Sequence, residues 1–316
     1  MARLDSAVAG AHNVEVMAKT VIQAFAEFRE RLEPTEQQKQ DAKTKHTGVK
    51  AVLNSELWVE SAFLSGSYAR STMIRPPSDI DLFVVLDHEK HQADYFYAFD
   101  SQTAILDRFH SILKAGYPTT PIRKDHPAVH LDFTTYGFDV VPAFHRQGGG
   151  YMILGRNRAG WIATDPTKHA ERATLYNKLT GNFFIPCAKM LKAWNRDKNY
   201  GRLSGFQLEV ECGYAWPRDT VGTEKIVRKV PSYAAGVYGL LNGLHYSLVT
   251  RTPDPAELSG YIDDYLTDDA RKWTRERLAS SAASAAQALE HEKHGRMAWA
   301  IDRWRDALGD NFPAYG

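Results

Sequence analysis

The spacing of apolar residues divides the chain into a helical, a β-rich and a second helical stretch. Apolar residues of segment 14–28 recur at helical spacing, and Pro34 marks a break before a second helix that we expect to end near Leu57. Four β-like runs follow, and they read VESAFLSGS, DIDLFVVL, AVHLDF and FDVVPAF. Tyr136-Gly137 separates the last two runs and favours an antiparallel hairpin.

From Pro166 onward the apolar pattern returns to that of amphipathic helices. The predicted helical segments are HAERATLYNKLTG, FFIPCAKMLKAWNRDK, SGFQLEVECGYAW, SYAAGVYGLLNGLHYSLV, the Ala-rich stretch 267–294, and MAWAIDRWRDAL. The pattern therefore predicts an α+β protein with two units. Residues 1–165 form an α/β unit that includes the N-terminal helices, and residues 166–316 form a helical unit. We expect part of the N-terminal region, a long helix, to span both units.

Composition narrows the class of protein. Hydrophobic residues make up 43% and charged residues 24% of the chain, as in ordinary globular proteins. With 39 Lys and Arg against 38 Asp and Glu the net charge is only +1, which argues against a long nucleic-acid partner. The N-terminus is too polar for a signal peptide, and no apolar run is long enough to span a membrane. We expect a cytoplasmic protein.

The isolated cysteines and histidines predict no site of their own. Cys187 and Cys212 lack the paired spacing of a zinc or redox motif and are expected to be buried apolar residues. Most of the 12 histidines lie in polar surroundings, so we expect them at the surface.

The strongest chemical signal lies between residues 64 and 86. Gly66-Ser67 follows one strand and opens a short helix, where the backbone and the hydroxyl can approach phosphate oxygens. Asp79 and Asp81 follow on the next strand, and period-2 alternation places both carboxylates on one face. Two carboxylates that close repel each other unless a cation lies between them, and oxygen ligands suit Mg²⁺.

A third acid would complete a two-metal site, and the sequence offers two. Asp139 lies in the apolar run FDVV, where an unpaired charge is costly to bury. Asp132, in AVHLDF, is the rival. We favour Asp139 because its surroundings are more apolar.

Taken together, Gly-Ser, Asp-x-Asp and a lone strand Asp resemble the DNA-polymerase-β-like nucleotidyltransferase superfamily. The fuller pattern resembles its bacterial branch, the cGAS/DncV-like nucleotidyltransferases or CD-NTases, from Gly66 to the region of Trp304. This resemblance implies a mixed sheet flanked by helices, packed against a C-terminal helical bundle. It also implies that Asp79, Asp81 and Asp139 are both the metal ligands and the catalytic residues, with Mg²⁺ or Mn²⁺ as the cofactor.

Two helical motifs extend the resemblance. KMLKAWNRDK resembles the segment whose lysine contacts the donor triphosphate, which implies that role for Lys192. SGFQLEVECGYAW resembles the segment that carries a base-stacking aromatic in the oligoadenylate synthases; this implies stacking on Phe206 and a position near the phosphates for Ser204. The family usually has tyrosine at the stacking position, and phenylalanine keeps only the ring. Asn177 is a further candidate for reading a base edge.

The activity implied by the resemblance is synthesis of a cyclic di- or trinucleotide second messenger from nucleoside triphosphates, ATP among them. In bacterial anti-phage signalling of the CBASS type such a product activates an effector. Some members are conjugated through their last residue by ubiquitin-like transfer enzymes, and Gly316 after a short flexible tail would suit this use. Two other classes stay open: a nucleotidyltransferase that modifies RNA 3′ ends or a protein or makes linear oligonucleotides, and a non-catalytic nucleotide sensor.

Overall fold

The computed structural model describes residues 18–77, 79–91, 98–155, 160–221 and 224–316, with the backbone alone for 98–103, 220–221 and 224. Its helices are α1 Val21–Leu32, α2 Glu36–Asn54, α3 Gly66–Ala69, α4 Ala98–Gly116, α5 Pro166–Leu179, α6 Phe184–Asp197, α7 Gly205–Ala215, α8 Tyr233–Ser247, α9 Asp268–Lys293 and α10 Met297–Leu308. Its strands are β1 Val59–Leu64, β2 Asp79–Leu86, β3 Ile122–Asp125, β4 Ala128–Asp132, β5 Gly137–His145, β6 Tyr151–Leu154, β7 Trp161–Thr164, β8 Arg218–Val221 and β9 Glu224–Val227. The α+β class and the helical C-terminal region are those expected.

Seven strands form one mixed sheet around β5. The order is β1-β2-β5-β4-β3, and β6 extends the other end of β5 and carries β7. Strands β2 and β5 are parallel, whereas β4 and β5 form the antiparallel hairpin that Tyr136-Gly137 predicted. Because β2 and β5 run the same way, residues at the starts of the two strands come together at one edge.

One apolar core lies between the sheet and helices α2 and α4. Alternate residues of β2, such as Ile80 and Leu82, point into this core together with Phe109 of α4 and Leu53 of α2. Since neighbouring residues of a strand face opposite ways, Asp79 and Asp81 must lie on the other face of the sheet.

A second core holds the helical unit together and includes α1. Its largest buried side chains are Trp194, Trp216 and Trp304, and Phe25 and Phe28 of α1 pack with them. The N-terminal region thus contacts both units, as predicted, but through two helices rather than one long helix, because α1 joins the helical core while α2 covers the sheet. Division of the chain at residue 165 stays a prediction.

Two details of the N- and C-terminal regions correct the sequence analysis. Ile22, one of the apolar residues at helical spacing in segment 14–28, is 73% exposed, whereas Val21 and Phe25 are buried. The segment before Gly316 is held in place rather than flexible, because Phe312 is buried 5.0 Å from the Phe25 ring centroid and Ala18 N donates to Ala314 O at 3.0 Å. In the described part of the chain no helix is both long and apolar enough to cross a membrane.

Candidate active site

Three carboxylates come together where β2 and β5 begin. In the parallel register Asp81 lies opposite Asp139, and Asp79 lies opposite Gly137. The Asp79 side chain is 47% exposed and that of Asp139 is 27% exposed, so both can meet a ligand from solvent. Asp132, the rival third acid, ends β4 one strand further away and is exposed. The register therefore favours Asp139 as the third acid.

The turn that opens with Gly66 lies directly over Asp81. Gly66 has φ +59°, and a Cβ at this position would lie 1.7 Å from Oδ2 of Asp81. Ser65 N donates to Asp81 O at 2.8 Å, while Ser67 O accepts from Thr72 N at 2.9 Å and closes the turn. Glycine is therefore required here both by the backbone conformation and by the approach of the carboxylate.

Replacing Gly66 by alanine should separate the clash with Asp81 from the cost of a positive φ. Gly181 has φ +69° but open space around its missing Cβ, so Gly181→Ala is the matched control. We expect Gly181→Ala to cost about 1 kcal/mol of unfolding free energy and to keep activity. Gly66→Ala should lower product formation by about a hundredfold or more, because it displaces Asp81. Equal activities of the two variants, measured by pyrophosphate release, would contradict this role of Gly66.

Burial and mutual repulsion perturb the acids. Burial, and then the charge of Asp139, raises the pKa of Asp81 to about 6, although Arg70 and Lys192 act in the opposite direction. Burial also raises the pKa of Asp139, against the hydrogen bond from His130. The neighbouring cations thus compensate only part of the negative charge of these acids, and a divalent cation would compensate the remainder.

His130 is a site residue that the sequence analysis missed, and the expectation of surface histidines is wrong for it. Its Nδ1 lies 2.6 Å from Oδ1 of Asp139 and 3.9 Å from Oδ1 of Asp79, and its side chain is only 6% exposed. The predicted turn at Tyr136-Gly137 could not show this contact, because residues 133–136 form the connection and Gly137 already belongs to β5; this register pairs His130 with Asp139. His130 orients the Asp139 carboxylate and leaves its second oxygen available.

Among the described residues, no three His, Cys, Asp or Glu side chains are grouped as a ready metal-binding cluster. One oxygen of the Asp139 carboxylate is hydrogen-bonded to His130 Nδ1. The donor set nevertheless suits Mg²⁺, which prefers few carboxylates and completes its shell with waters and phosphates.

A buried ionic network links the turn after Gly66 to helix α7. Glu209 accepts from Arg70 Nε at 2.6 Å and from Arg70 Nη2 at 3.2 Å, and it also pairs with Lys192 Nζ. Lys192 Nζ further donates to Thr72 O at 3.1 Å. Burial opposes ionisation of Glu209, but the two cations outweigh it and lower its pKa to about 2. The structure thus places Lys192 at the turn that carries Ser67, in an ion pair that the sequence did not predict.

Phe206 lines a pocket that begins at this network. Its ring centroid lies 4.9 Å from Arg70 Cζ and 4.7 Å from the ring centroid of His169, whose Nε2 lies 2.9 Å from Asp254 Oδ1. Arg172 and Tyr176 of α5 line the same pocket. The predicted stacking residue is therefore half-buried, at a pocket joined to the acids through Arg70.

The remaining predicted residues have structural contacts. Ser204 caps α7, because its Oγ accepts from Gln207 N at 3.1 Å. Asn177 Oδ1 accepts from Ile185 N at 3.0 Å, so Asn177 ties α5 to the start of α6. Contacts of either residue with a nucleotide stay predictions.

The chain is similar to known second-messenger synthetases. Residues 19–177, just over half of the chain, match the SMODS family, described as the Second Messenger Oligonucleotide or Dinucleotide Synthetase domain. A cyclic AMP-AMP-AMP synthase of Acinetobacter sp. is 26% identical over 93% of this chain and 86% of its own length. A probable cyclic nucleotide synthase of Bacillus cereus is 25% identical over 79% of this chain and 81% of its own.

Solved structures share the fold. The Vibrio cholerae cyclic AMP-GMP synthase DncV, a prokaryotic cGAS homologue, superposes with a TM-score of 0.69 at 11% identity, over 93% of this chain and 98% of its own. Escherichia coli CdnC, solved with ATP, gives a TM-score of 0.67 at 13% identity, over 92% of this chain and 98% of its own.

Proposed function

The chain belongs to the family of second messenger oligonucleotide or dinucleotide synthetases, and on this premise we propose that it joins nucleoside triphosphates into a cyclic di- or trinucleotide at Asp79, Asp81 and Asp139. The observation that carries the assignment of the site is the register of β2 and β5, which sets Asp81 beside Asp139 on the open face of the sheet. The raised pKa of Asp81 adds to it, because it marks a charge excess that a metal–nucleotide complex would compensate.

Each side chain has a role in this reaction. The three carboxylates would hold divalent cations, Mg²⁺ or Mn²⁺, and His130 keeps Asp139 oriented. When bound, these cations would lower the pKa of the acceptor hydroxyl and offset the charge of the departing pyrophosphate. The turn at Gly66-Ser67 presents backbone and hydroxyl donors to phosphate oxygens. Phe206 offers a ring face to a base, an interaction worth about 1–3 kcal/mol.

Lys192 can reach the phosphates only by changing partners. Its ammonium group pairs with Glu209 and Thr72 O, at the same turn as Ser67. We propose that Lys192 supports the phosphate-binding turn through Thr72 in the nucleotide-free protein and shares its charge with the pyrophosphate during transfer.

The first experiment is to incubate the full chain with all four NTPs and Mg²⁺, and to analyse the mixture by mass spectrometry before and after phosphatase. We expect a phosphatase-resistant cyclic oligonucleotide, whose mass also names the bases. Radiolabel transferred to RNA or protein, or a linear product, would replace this proposal with the corresponding alternative. Nucleotide binding without pyrophosphate release would indicate a sensor.

Metal binding should appear in thermal unfolding independently of activity. The pKa of Asp81 is about 6 in the folded protein and near its ordinary value of 3.8 when unfolded. The folded state therefore binds this proton more tightly, so the stability due to Asp81 is greatest below pH about 4 and is lost as the pH rises through about 6. Mg²⁺ should raise the melting temperature more at pH 8 than at pH 5. A shift of the same size in Asp81→Asn would show that the ion binds elsewhere.

The biological setting follows from the family. We propose that the product activates an effector in bacterial anti-phage signalling. Conjugation at Gly316 stays a prediction; the residue is exposed, but its N–H donates to Ala18 O at 3.4 Å, and this contact would have to open.

A further inference from the structure

Arg172 lines the Phe206 pocket and has no role in the proposed mechanism. Its guanidinium carbon lies 5.1 Å from the ring centroid of Tyr214 and 5.5 Å from that of Tyr176. Among the described residues no carboxylate or carbonyl accepts a hydrogen bond from it. The rings of Tyr176 and Tyr214 thus hold the guanidinium, while none of its five N–H donors has a hydrogen-bond acceptor among the described residues.

The other charges that line this pocket are compensated. Arg70 is paired with Glu209, and Glu209 also with Lys192. His169 is paired with Asp254. Around them the pocket is apolar, with Ala173, Phe184 and Val210 among its lining residues. An oriented set of donors at an apolar, ring-lined pocket would meet the acceptors on one edge of a flat ligand. The pocket encloses about 20 Å³ in this structure, so it would have to open to admit one.

The order of residues along the pocket indicates which part of a nucleotide would meet Arg172. Arg70 N donates to Gly66 O at 3.2 Å, and Gly66 lies directly over Asp81, so this end of the pocket adjoins the acids and the reacting phosphate. Phe206 contacts Arg70 and His169, and Arg172 lies three residues beyond His169 on α5, about 4.5 Å along the helix axis. A base stacked on Phe206 would therefore separate the phosphates from Arg172.

We propose that Arg172 selects the base bound against Phe206 by donating two hydrogen bonds to N7 and O6 of guanine, an inference that rests on the proposed function of this site. Arginine meets this pair of acceptors with two parallel N–H groups. Adenine offers N7 but presents an amino group in place of O6, so only one of the two bonds forms. The pocket favours guanine over adenine for this reason.

Titration calorimetry of the full chain with 5′-monophosphates tests the assignment, because a monophosphate has no pyrophosphate to release and cannot be turned over. The probes are GMP, AMP and 7-deaza-GMP, which lacks the N7 acceptor. The wild type should bind GMP about tenfold more tightly than either of the others. The Arg172→Met variant should bind all three ligands with similar affinity. Arg172→Lys keeps the charge without the paired donors and should lose most of the preference.

Lys168→Met is the matched control, since Lys168 is an exposed cation one turn earlier on α5, and it should keep the wild-type preference. Circular dichroism melting checks the fold of each variant. An N7 preference that persists in Arg172→Met, a wild type without one, or no measurable GMP binding would overturn the assignment. If Arg172→Met lowered the affinity for all three ligands by the same factor, the assignment would also be overturned, and Arg172 would contact the phosphate.

Pyrophosphate release from NTPs, measured in parallel, separates this inference from the function on which it rests. A chain that shows the N7 preference but releases no pyrophosphate refutes synthesis and keeps the base assignment. A chain that makes a cyclic product without any N7 preference refutes the assignment of Arg172 alone.

Discussion

Asp79→Asn together with Asp81→Asn should lower product formation by roughly a thousandfold or more while the protein stays folded. Ligands of catalytic metals supply several kcal/mol of transition-state stabilisation, and that corresponds to a rate loss of this size. Asparagine keeps the shape of each side chain but removes its charge. In Asp81 that charge is unfavourable, because the side chain is buried and lies near the charge of Asp139. We therefore expect the melting temperature of the metal-free protein at pH 8 to be no lower than that of the wild type.

Single variants of the two rival acids identify the third ligand. Asp139→Asn should lose activity to a similar degree, since Asp139 lies opposite Asp81. Asp132→Asn is the matched control, because Asp132 is an exposed carboxylate one strand further away, and it should remain active. The measurement is product yield by mass spectrometry, with melting curves as the check on folding. A productive double variant would remove the acids from the mechanism, and the reverse result for the single variants would make Asp132 the ligand.

The sequence alone predicted β2, the strand that carries Asp79 and Asp81. DIDLFVVL alternates acids with core residues and then becomes fully apolar, and β2 has the bounds that this pattern predicts. The hairpin of β4 and β5 followed from its turn residues. The strand and the hairpin depend on neighbours in sequence, and for that reason pattern and spacing recover them. The connection 133–136 sets the register that brings His130 to Asp139, and the turn residues did not predict that register.

Other features depend on partners far apart in the chain. Strands β3, β6 and β7 have only four residues each, too few for a clear alternation, and they were not predicted. Tyr151 of β6 reaches the ring of Phe63 on β1, at a centroid distance of 5.4 Å, although these two strands are not paired. Sequence periodicity carries no information about such a contact.

The ion pair of Glu209 is the clearest case of such a partner. Arg70 lies 139 residues before Glu209, and in SGFQLEVECGYAW the two glutamates Glu209 and Glu211 look alike. In the structure the two side chains have different partners. Glu209 has two cationic partners, whereas Glu211 accepts from Thr252 Oγ1 at 2.6 Å and burial raises its pKa.

Glu209→Gln should destabilise the protein by about 3–5 kcal/mol at pH 7, because it leaves Arg70 and Lys192 buried without their counter-ion. The pKa of Glu209 is about 2 in the folded protein and near 4.5 when unfolded. Its stabilising contribution is therefore present above pH about 4.5 and is lost as the pH falls through about 2, so the cost of the substitution should shrink at pH 3. Denaturant unfolding at both pH values measures this difference.

Glu211→Gln is the control on the same helix, and at pH 7 it should cost far less, since burial already disfavours the charge of Glu211. Lys192→Met in the Glu209→Gln background removes one of the two unpaired cations and should recover part of the lost stability, the coupling expected of residues in one network. Equal costs for the two glutamate variants, without recovery by Lys192→Met, would mean that the network does not hold the turn at Gly66 to α7. With the expected costs, the ion pairs of Glu209 connect the edge of the sheet that carries the three acids to the helical unit that carries Phe206.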